Sequence, residues 1–325
     1  MKILIIGPTR IGDTVLSSGI VDHISKSYPQ AQITVACGAI SAPLYKSLPN
    51  LDQIIPITKK TASTHWWGVW LEVYRTRWDL VIDFRRSIVP WVIRAKSRIV
   101  TKAALDINEH RVVSYSRALG LENSPPSPVL WTSVEDENRA NTLIPDGGPV
   151  VAVAPTANWR GKMWDVNRFV SVINRITNVS CEKSIFPDAR IAILGGPGEE
   201  TSASILLESI AQDRLLNLVG KEDLYTISAC LRRCSLFIGN DSGLMHMAAA
   251  ANIPTLGLFG PSRVENYHPW GKYTEAVCTE KSYHELVKKP VKRADNSYNM
   301  MDSLTVDSVV EAVENLLFKH KIITI

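Results

Sequence analysis

An acidic residue, small residues and a histidine lie close together in the segment GNDSGLMHMAAAANIPTLGLFGPS. Asp241, Ser242 and Gly243 stand where an apolar strand should give way to a helix over 242–251, and His246 shares a helix face with Ser242. Two interpretations are open. Either Asp241 caps the helix by accepting from its first amides, or the glycine-flanked N terminus binds a phosphate or diphosphate. The segment alone does not decide between them.

The elements that must position these residues follow an α/β rhythm. The chain opens with the apolar run KILIIG, continues with a helical pattern ending before Pro29, and reaches a second strand, QITVACG. The order repeats through the strand LDQIIPI, a Trp-rich helix near Trp66 to Arg77 and the strand DLVIDF. We therefore predict βαβ units and a parallel sheet in the first half.

The second half restarts the same rhythm after a segment rich in Pro and Gly. That segment should hold one short strand and one short helix, and we place the domain boundary near Asp146 to Pro149. The predicted fold class is α/β, with two Rossmann-like, doubly wound domains, 1–148 and 149–325, and a cleft between them. Ligands of such sheets bind beyond the carboxyl ends of the strands, where several glycines fall.

Length and composition exclude several classes of protein. With 325 residues, 45% of them hydrophobic and 21% charged, the chain can build two domains. It has no apolar run long enough to span a membrane, and its first ten residues are too short for a signal peptide, so we expect a cytoplasmic protein. Five cysteines without a CxxC pair indicate buried thiols rather than a zinc site or a disulfide framework. No GxGxxG fingerprint follows the first strand, and no P-loop is present.

Positive charge is concentrated between Arg75 and Arg117. The segment holds ten basic residues against four acidic ones: Arg75, Arg77, Arg85, Arg86, Arg94, Lys96, Arg98, Lys102, Arg111 and Arg117 against Asp79, Asp83, Asp106 and Glu109. This excess is either a solvated face or a surface that receives an anionic substrate or membrane, and nucleic acid is disfavoured because no binding motif accompanies it.

Four segments in this order resemble glycosyltransferase family 9, the ADP-heptose:lipopolysaccharide heptosyltransferases. They are ILIIGPTRIGDTVLSS, GKMWDVNRF, AILGGPGEE and LFIGNDSGLMHMAAAANIPTLGLFGPS. The resemblance spans almost the whole chain, and its most specific part is D-S-G-x-x-H followed by an apolar strand and G-P-S. It implies a GT-B fold with acceptor on the N-terminal domain and nucleotide sugar on the C-terminal domain, inversion at the anomeric carbon, and no metal.

The resemblance also implies a set of donor-binding residues. Asp241 would accept hydrogen bonds from the donor sugar, Ser242, Gly243 and their helix would stabilise the departing diphosphate, and His246 would support the loop or touch the diphosphate. Lys162 would be the charge partner of the phosphates unless it is a surface lysine. Two asparagines complete the donor set: Asn158, at a position where relatives often carry a hydroxyl residue, and Asn217, in the segment corresponding to the adenosine pocket.

On the acceptor side, the resemblance assigns the general base to Asp13, just after the first strand. The alternative is that Asp13 only complements a helix N terminus. Gly12 and Arg10 share its turn, and Arg10 replaces a small polar residue of the best-known heptosyltransferases. Together with Arg85 and Arg86, they form the predicted acceptor-binding set.

The resulting prediction is heptose transfer from an ADP-sugar to a lipopolysaccharide inner-core acceptor, at the cytoplasmic face of the inner membrane. Trp66, Trp67 and Trp70 could touch lipid there, although at least two of them fit better as core of an amphipathic helix. Two alternatives stay open. One is a nucleotide-sugar epimerase or hydrolase of the same build, which would need a further acid/base pair, and the other is a non-catalytic sugar-nucleotide binding protein.

Overall fold

The computed structural model describes residues 1–58, 64–101, 108–181, 184–287 and 300–322. These residues form two compact units, Met1–Ser133 and Val134–Ile325. Each unit has one parallel sheet with helices, which confirms the predicted α/β class with two doubly wound domains.

The first unit has a five-stranded sheet in the order β3-β2-β1-β4-β5. Its strands are β1 (Lys2–Ile6), β2 (Gln32–Gly38), β3 (Leu51–Ile57), β4 (Trp78–Asp83) and β5 (Ala95–Val100). Its helices are α1 (Ile11–Ser27), α2 (His65–Val73), α3 (Val89–Val92) and α4 (Arg111–Ser116), with 3-10 turns at Ala42–Tyr45 and Arg117–Leu119. The central strand β1 is an apolar run buried from Ile3 onward, as expected of a parallel strand covered on both faces.

The second unit has a six-stranded sheet in the order β11-β10-β9-β6-β7-β8. Its strands are β6 (Val150–Ala154), β7 (Arg190–Ile193), β8 (Leu215–Asn217), β9 (Leu236–Asn240), β10 (Thr255–Phe259) and β11 (Thr274–Cys278). Its helices are α5 (Val134–Leu143), α6 (Val166–Thr177), α7 (Glu200–Ser209), α8 (Leu224–Arg232), α9 (Gly243–Ala250), α10 (Val264–Tyr267), α11 (Tyr283–Leu286) and α12 (Val306–Lys319), with a 3-10 turn at Arg160–Lys162. Its strands meet at one carboxyl edge because every neighbouring pair is parallel.

The division between the units lies between Ser133 and Val134, earlier than the predicted 148/149 boundary. Helix α5 packs on α8 and is tied to it by ion pairs, which explains why it groups with the second unit. These pairs join Arg139 to Glu222 and Arg232 to Glu137. The sequence gives no sign of them, because the partners are more than 80 residues apart.

The short strand predicted before α5 is wrong. The segment after Gly120 runs without a strand to α5, and its backbone bonds to side chains instead: the Val129 amide donates to Ser18 Oγ at 2.8 Å. Gly19 permits this approach, since a Cβ there would lie 2.4 Å from the carbonyl oxygens of Pro126 and Ser127. The Pro-rich segment therefore packs against α1 without forming a strand.

The prediction of buried cysteines is confirmed only in part, and the prediction for the tryptophans of α2 is confirmed. Cys37, Cys230 and Cys234 are buried thiols as predicted, but Cys181 and Cys278 are exposed. In α2, Trp66 and Trp70 pack against the core while Trp67 is exposed, which confirms that two of the three tryptophans serve the core. Among the described residues, no helix has the length and apolar character needed to cross a membrane.

Candidate functional site

Three neighbouring strands of the second sheet end together and bring the principal predicted donor residues to one place. Lys162 lies in the 3-10 turn after β6, Asp241 follows β9, and Ser262 follows β10. This carboxyl edge is where parallel α/β sheets bind ligands. Sequence reasoning gave Ser262 no role, although it ends the G-P-S of the quoted motif.

Asp241 is the centre of this cluster. Its Oδ2 accepts from Lys162 Nζ at 2.5 Å and from Ser262 Oγ at 2.6 Å, while the side chain is 7% exposed. Its other oxygen, Oδ1, lies 3.9 Å from His246 Nε2, beyond hydrogen-bonding distance. One carboxylate oxygen is thus saturated, and the other can still accept a hydrogen bond from a ligand hydroxyl.

The charges of the cluster support one another. Burial by itself would raise the pKa of Asp241, but the Lys162 ammonium, His246 and the hydrogen bonds from Lys162 and Ser262 hold that pKa below its ordinary value. Asp241 is therefore ionised at neutral pH. Lys162 is a half-buried ion-pair partner and not a solvated surface lysine.

His246 is neutral at physiological pH. Burial lowers its pKa to about 4, against the opposing pull of the Asp241 carboxylate. Its Nδ1 is buried and meets no hydrogen-bond partner within the described parts of the chain. A neutral imidazole with an unused nitrogen can donate to or accept from a bound ligand.

The helix begins one residue later than predicted. Ser242 is the N-cap residue of α9, in an extended conformation with φ −148° and ψ 172°, and no side chain caps the helix. The interpretation of Asp241 as a helix cap is therefore wrong, since its carboxylate is directed to Lys162 and Ser262. The first amides of α9, starting at Gly243, have no intrahelical acceptor and carry the positive end of the helix dipole.

Ser242 adds an unused hydroxyl at this helix mouth. Its Oγ is buried and makes no hydrogen bond to any residue that the structure describes. A buried hydroxyl without a hydrogen-bond partner lowers the stability of the folded protein by about 1–3 kcal/mol. Such a hydroxyl usually bonds to a ligand or a water molecule. Ser242 Oγ and the amides of α9 together offer donors to an anion.

Asn240 holds the loop that carries Lys162, a role that sequence reasoning missed. Its Oδ1 accepts from the Trp164 amide at 3.0 Å and its Nδ2 donates to the Pro155 carbonyl at 2.7 Å. The end of β9 is thereby tied to both ends of the segment 155–164. The only sequence signal was its place directly before Asp241.

The two predicted asparagines lie apart from this cluster of contacts. Asn158 is exposed in the bend before the 3-10 turn. Asn217 ends β8, and its Oδ1 accepts from the Val219 amide at 3.1 Å. In the loop between β7 and α7, Glu199 Oε2 accepts from Thr156 Oγ1 at 2.6 Å and from the Gly196 amide at 2.7 Å, an arrangement that was not predicted.

In the first unit, the predicted base lies at the carboxyl edge of the sheet. Asp13 is half-buried in the first turn of α1, whose N-cap residue is Arg10. Gly12 is half-buried beside it, and Arg10 is exposed. This position suits both roles considered for Asp13, because a first-turn carboxylate complements the helix dipole and also faces the ligand edge.

A second loop, after β4, presents the two predicted acceptor arginines. Asp83 is fully buried, and its carboxylate accepts from the Arg85 and Ser87 amides at 2.6 Å each and from Ser87 Oγ at 2.7 Å. Burial raises the pKa of Asp83, partly offset by these hydrogen bonds. Asp83 was counted only as a charge in the sequence, yet it organises this loop.

The arginines have different environments in that loop. Arg85 Nη1 donates to Thr9 Oγ1 at 2.8 Å, which joins the loop after β4 to the loop after β1 that leads to Asp13. Arg86 is exposed and has φ +57°, a left-handed conformation that is uncommon for a residue other than glycine. The buried Asp83 supplies the hydrogen bonds that hold it there.

The basic segment is partly neutralised by structural contacts. Lys96 pairs with Asp79, Arg117 pairs with Glu109, and Arg98 donates to three backbone carbonyls. Arg77 and Arg94 are exposed. Two charges from that count, Lys102 and Asp106, lie outside the described residues.

Comparisons with known proteins identify the family of this chain. The family model described as glycosyltransferase family 9 (heptosyltransferase) matches residues 79–295, more than half of the chain. The chain belongs to glycosyltransferase family 9. It is therefore a glycosyltransferase, and the epimerase, hydrolase and binding-protein alternatives are not favoured.

Named family 9 proteins resemble this chain over their full length. It is 24% identical to lipopolysaccharide heptosyltransferase 2 of Salmonella typhimurium, over 98% of this chain and 99% of that protein. Among solved structures, a family 9 glycosyltransferase of Veillonella parvula matches with a TM-score of 0.80 and 22% identity, covering 98% of this chain and 97% of the other. E. coli ADP-heptose lps heptosyltransferase II matches with a TM-score of 0.75 and 20% identity, covering 99% and 100%. These two likenesses establish the GT-B fold.

Proposed function

We propose that this glycosyltransferase moves heptose from ADP-heptose to an inner-core acceptor of lipopolysaccharide, with inversion at the anomeric carbon. The acceptor hydroxyl oxygen forms a bond to the anomeric carbon while the bond from that carbon to the diphosphate oxygen breaks. ADP leaves, and the hydroxyl proton passes to a carboxylate. The lipopolysaccharide heptosyltransferase relatives, similar over their full length, support this donor and acceptor class.

The observation that carries the proposal is the cluster of buried Asp241 and Ser262 with half-buried Lys162, beside the N terminus of α9. A departing diphosphate gains negative charge, which preorganised donors stabilise without any reorganisation during the reaction. The α9 amides and Ser242 Oγ are such donors, and the Lys162 ammonium, which is paired with Asp241, is a further one. His246 Nδ1 is a further donor or acceptor within the same cluster.

Asp241 divides its two oxygens between protein and ligand. Oδ2 holds Lys162 in place, while Oδ1 makes no hydrogen bond to His246. In the proposal, Oδ1 accepts from a hydroxyl of the donor sugar. Lys162 then bridges this carboxylate and the diphosphate. Asn158 is assigned to the phosphates of the donor, and Asn217 is assigned to its adenosine.

Asp13 is the proposed general base. Its half-buried position in the first turn of α1 gives a carboxylate at the ligand edge of its sheet. The acceptor's negative charges are assigned to Arg10, Arg85 and Arg86, with Gly12 allowing close approach at the same turn. The Arg85–Thr9 hydrogen bond keeps the two loops together and supports a shared acceptor surface.

We further propose that the reaction needs no metal and that the enzyme works at the cytoplasmic face of the inner membrane, as a peripheral protein. Lys162 and the α9 dipole provide the positive charge that a divalent cation would otherwise bring to the diphosphate. An acceptor anchored in that membrane requires contact with its surface.

The test is whether ADP release depends on the acceptor. Purified protein is incubated with ADP-heptose, with and without lipopolysaccharide acceptor that lacks the heptose, and ADP is quantified. The proposal expects release only when acceptor is present, together with an acceptor heavier by one heptose. Release at the same rate without acceptor would identify a hydrolase, and no release with either mixture would reject this donor.

A further inference from the structure

Five large apolar side chains are exposed on two adjacent short helices of the first unit. They are Trp67 and Leu71 on α2 and Ile88, Trp91 and Val92 at α3, each between 49% and 67% exposed. We call this set the Trp67–Trp91 surface. It holds five of the 13 highly exposed large apolar residues among the described parts of the chain, within only 26 residues of sequence. Concentrations of this kind mark interaction surfaces.

The two helices are joined, so the five side chains belong to one surface. Trp70 Nε1 donates to the Val92 carbonyl at 3.2 Å, and the Trp67 ring stacks on the Trp70 ring with a centroid distance of 4.7 Å. The inward-facing residues Val69 and Val73 are buried, which turns Trp67 and Leu71 outward.

The single turn of α3 is held rigidly in this outward presentation. Arg98 donates to the Pro90 carbonyl at 2.6 Å and to the Ile93 carbonyl at 3.1 Å. With the Trp70 bond to Val92, most of the carbonyls that a short helix leaves unpaired are satisfied. Because these bonds fix the backbone of α3, they also fix the outward direction of Trp91 and Val92.

Positive charge borders this apolar surface. Arg86 and Arg94 are exposed on the two sides of α3, and Arg75 is exposed after the end of α2. Glu72, an acidic residue of α2, is also exposed and lines the groove between α2 and β3, so the three arginines outnumber it around the surface. Exposed tryptophans with a basic border fit the headgroup region of a membrane that contains anionic lipid.

The surface also continues the proposed acceptor loop. Arg85 and Arg86 lie three and two residues before Ile88, on the loop that Asp83 organises. An acceptor whose anionic sugar lies on these arginines would have its lipid part beside Ile88 and Trp91. This step rests on the proposed function, whereas the apolar and basic character of the surface does not.

From this geometry, we infer that the Trp67–Trp91 surface docks the enzyme on an anionic phospholipid bilayer, with the two tryptophans at the headgroup level. Trp67 and Trp91 supply the interfacial contact, and Arg75, Arg86 and Arg94 supply attraction to anionic headgroups. The docking orients the loop after β4 toward a membrane-anchored acceptor.

The test is cosedimentation with vesicles of phosphatidylcholine, with and without phosphatidylglycerol, and without any acceptor. The parent should bind vesicles that contain phosphatidylglycerol and lose binding at high salt. Trp67→Ser with Trp91→Ser should reduce partitioning by about tenfold or more. Phe318→Ser is the matched control, since Phe318 is 58% exposed on α12 of the other unit, and it should bind like the parent. Thermal unfolding verifies that all variants fold.

Three outcomes would overturn the inference. They are a parent that does not bind anionic vesicles, a double variant that binds like the parent, and a parent dimer that the double variant dissociates. The last would assign the surface to a second copy.

Transfer to a deacylated, water-soluble acceptor separates this inference from the proposed function. The double variant should retain that activity and lose transfer to acceptor in vesicles, whereas a parent inactive on both acceptors but bound to vesicles would reject only the proposed function.

Discussion

Asp241 combines an observed contact with the protein and a proposed contact with the donor sugar. It holds Lys162 through one oxygen and keeps the other oxygen without a hydrogen bond. The sequence predicted that Asp241, Ser242 and His246 would cluster, because they lie within six residues of each other. It could not predict that Ser262, 21 residues later, would donate a hydrogen bond to the carboxylate of Asp241. That contact depends on the pairing of β9 with β10.

The first prediction concerns Asp241→Asn. The substitution removes the charge that neutralises Lys162, so the ammonium becomes fully available to a diphosphate. We expect ADP to bind as tightly as before or more tightly, while ADP-heptose loses about tenfold or more in affinity through the weakened sugar contact. Titration calorimetry with both ligands measures this, and Ser262→Ala is the control that leaves the ion pair in place. Equal losses for ADP and ADP-heptose would contradict the role of Asp241 at the sugar.

The second prediction concerns His246 and pH. Its pKa is about 4 in the folded protein and near 6.5 when unfolded, so between these values the unfolded chain binds a proton that the folded chain does not. The free energy of unfolding should therefore fall as pH drops from 6.5 to 4, by an amount from this residue on the order of 3 kcal/mol. Denaturant unfolding across this range should show a flatter profile for His246→Gln. Exposed His23→Gln is the control, and an unchanged slope in His246→Gln would place the effect elsewhere.

At the level of elements, the loop after β4 depends on one buried carboxylate. Sequence patterns predicted the buried strands β1, β2, β6, β9 and β10 well, because continuous apolar runs ending in glycine or a polar residue are specific for them. They missed β5, β8 and β11, which are edge strands with polar or half-exposed residues. Asp83 ends β4, and no local pattern shows that its side chain folds back on the next four residues.

The third prediction concerns Asp83→Asn. The amide cannot accept from both the Arg85 and Ser87 amides as the carboxylate does, so the left-handed Arg86 loses its support. We expect KM for the acceptor to rise about tenfold or more, while the dissociation constant of the donor stays within about twofold. The matched control is Asp79→Asn on the same strand, where the carboxylate bonds to Lys2 and Lys96. A change of donor affinity as large as the change of acceptor KM would show a general loss of structure.

On the scale of the whole molecule, the α/β class and family membership could be predicted from the sequence, because strand–helix alternation and the motif order persist at low identity. The position of the domain boundary was harder to predict from the sequence. It depends on contacts between the α5 region and the α8 region, which join residues 83 to 95 positions apart. These contacts are Arg139 with Glu222, Arg232 with Glu137 and Arg233 with Asp146. Local composition placed the boundary at the Gly-Pro punctuation instead.

The fourth prediction concerns metal independence. If Lys162 and the α9 N terminus stabilise the leaving diphosphate, turnover should stay within about twofold of its starting value after treatment with EDTA. Lys162→Met should lower turnover by about 10²-fold or more, and added Mg²⁺ should not restore it. The assay is ADP release with saturating substrates. Loss of activity in EDTA, restored by Mg²⁺ or Mn²⁺, would contradict the assignment of the diphosphate to Lys162 and α9.

The proposed mechanism depends most directly on Asp13 as the base that activates the acceptor hydroxyl. Asp13→Asn keeps the size of the side chain and removes its basicity, so the protein should fold. The decisive measurement is kcat at saturating donor and acceptor, beside the dissociation constant of ADP-heptose, for parent and variant. A positioned base contributes roughly 10²- to 10⁴-fold, so kcat should fall by that factor while donor affinity stays unchanged. A variant with kcat within about threefold of the parent would show that Asp13 only complements the α1 dipole and that the base lies elsewhere.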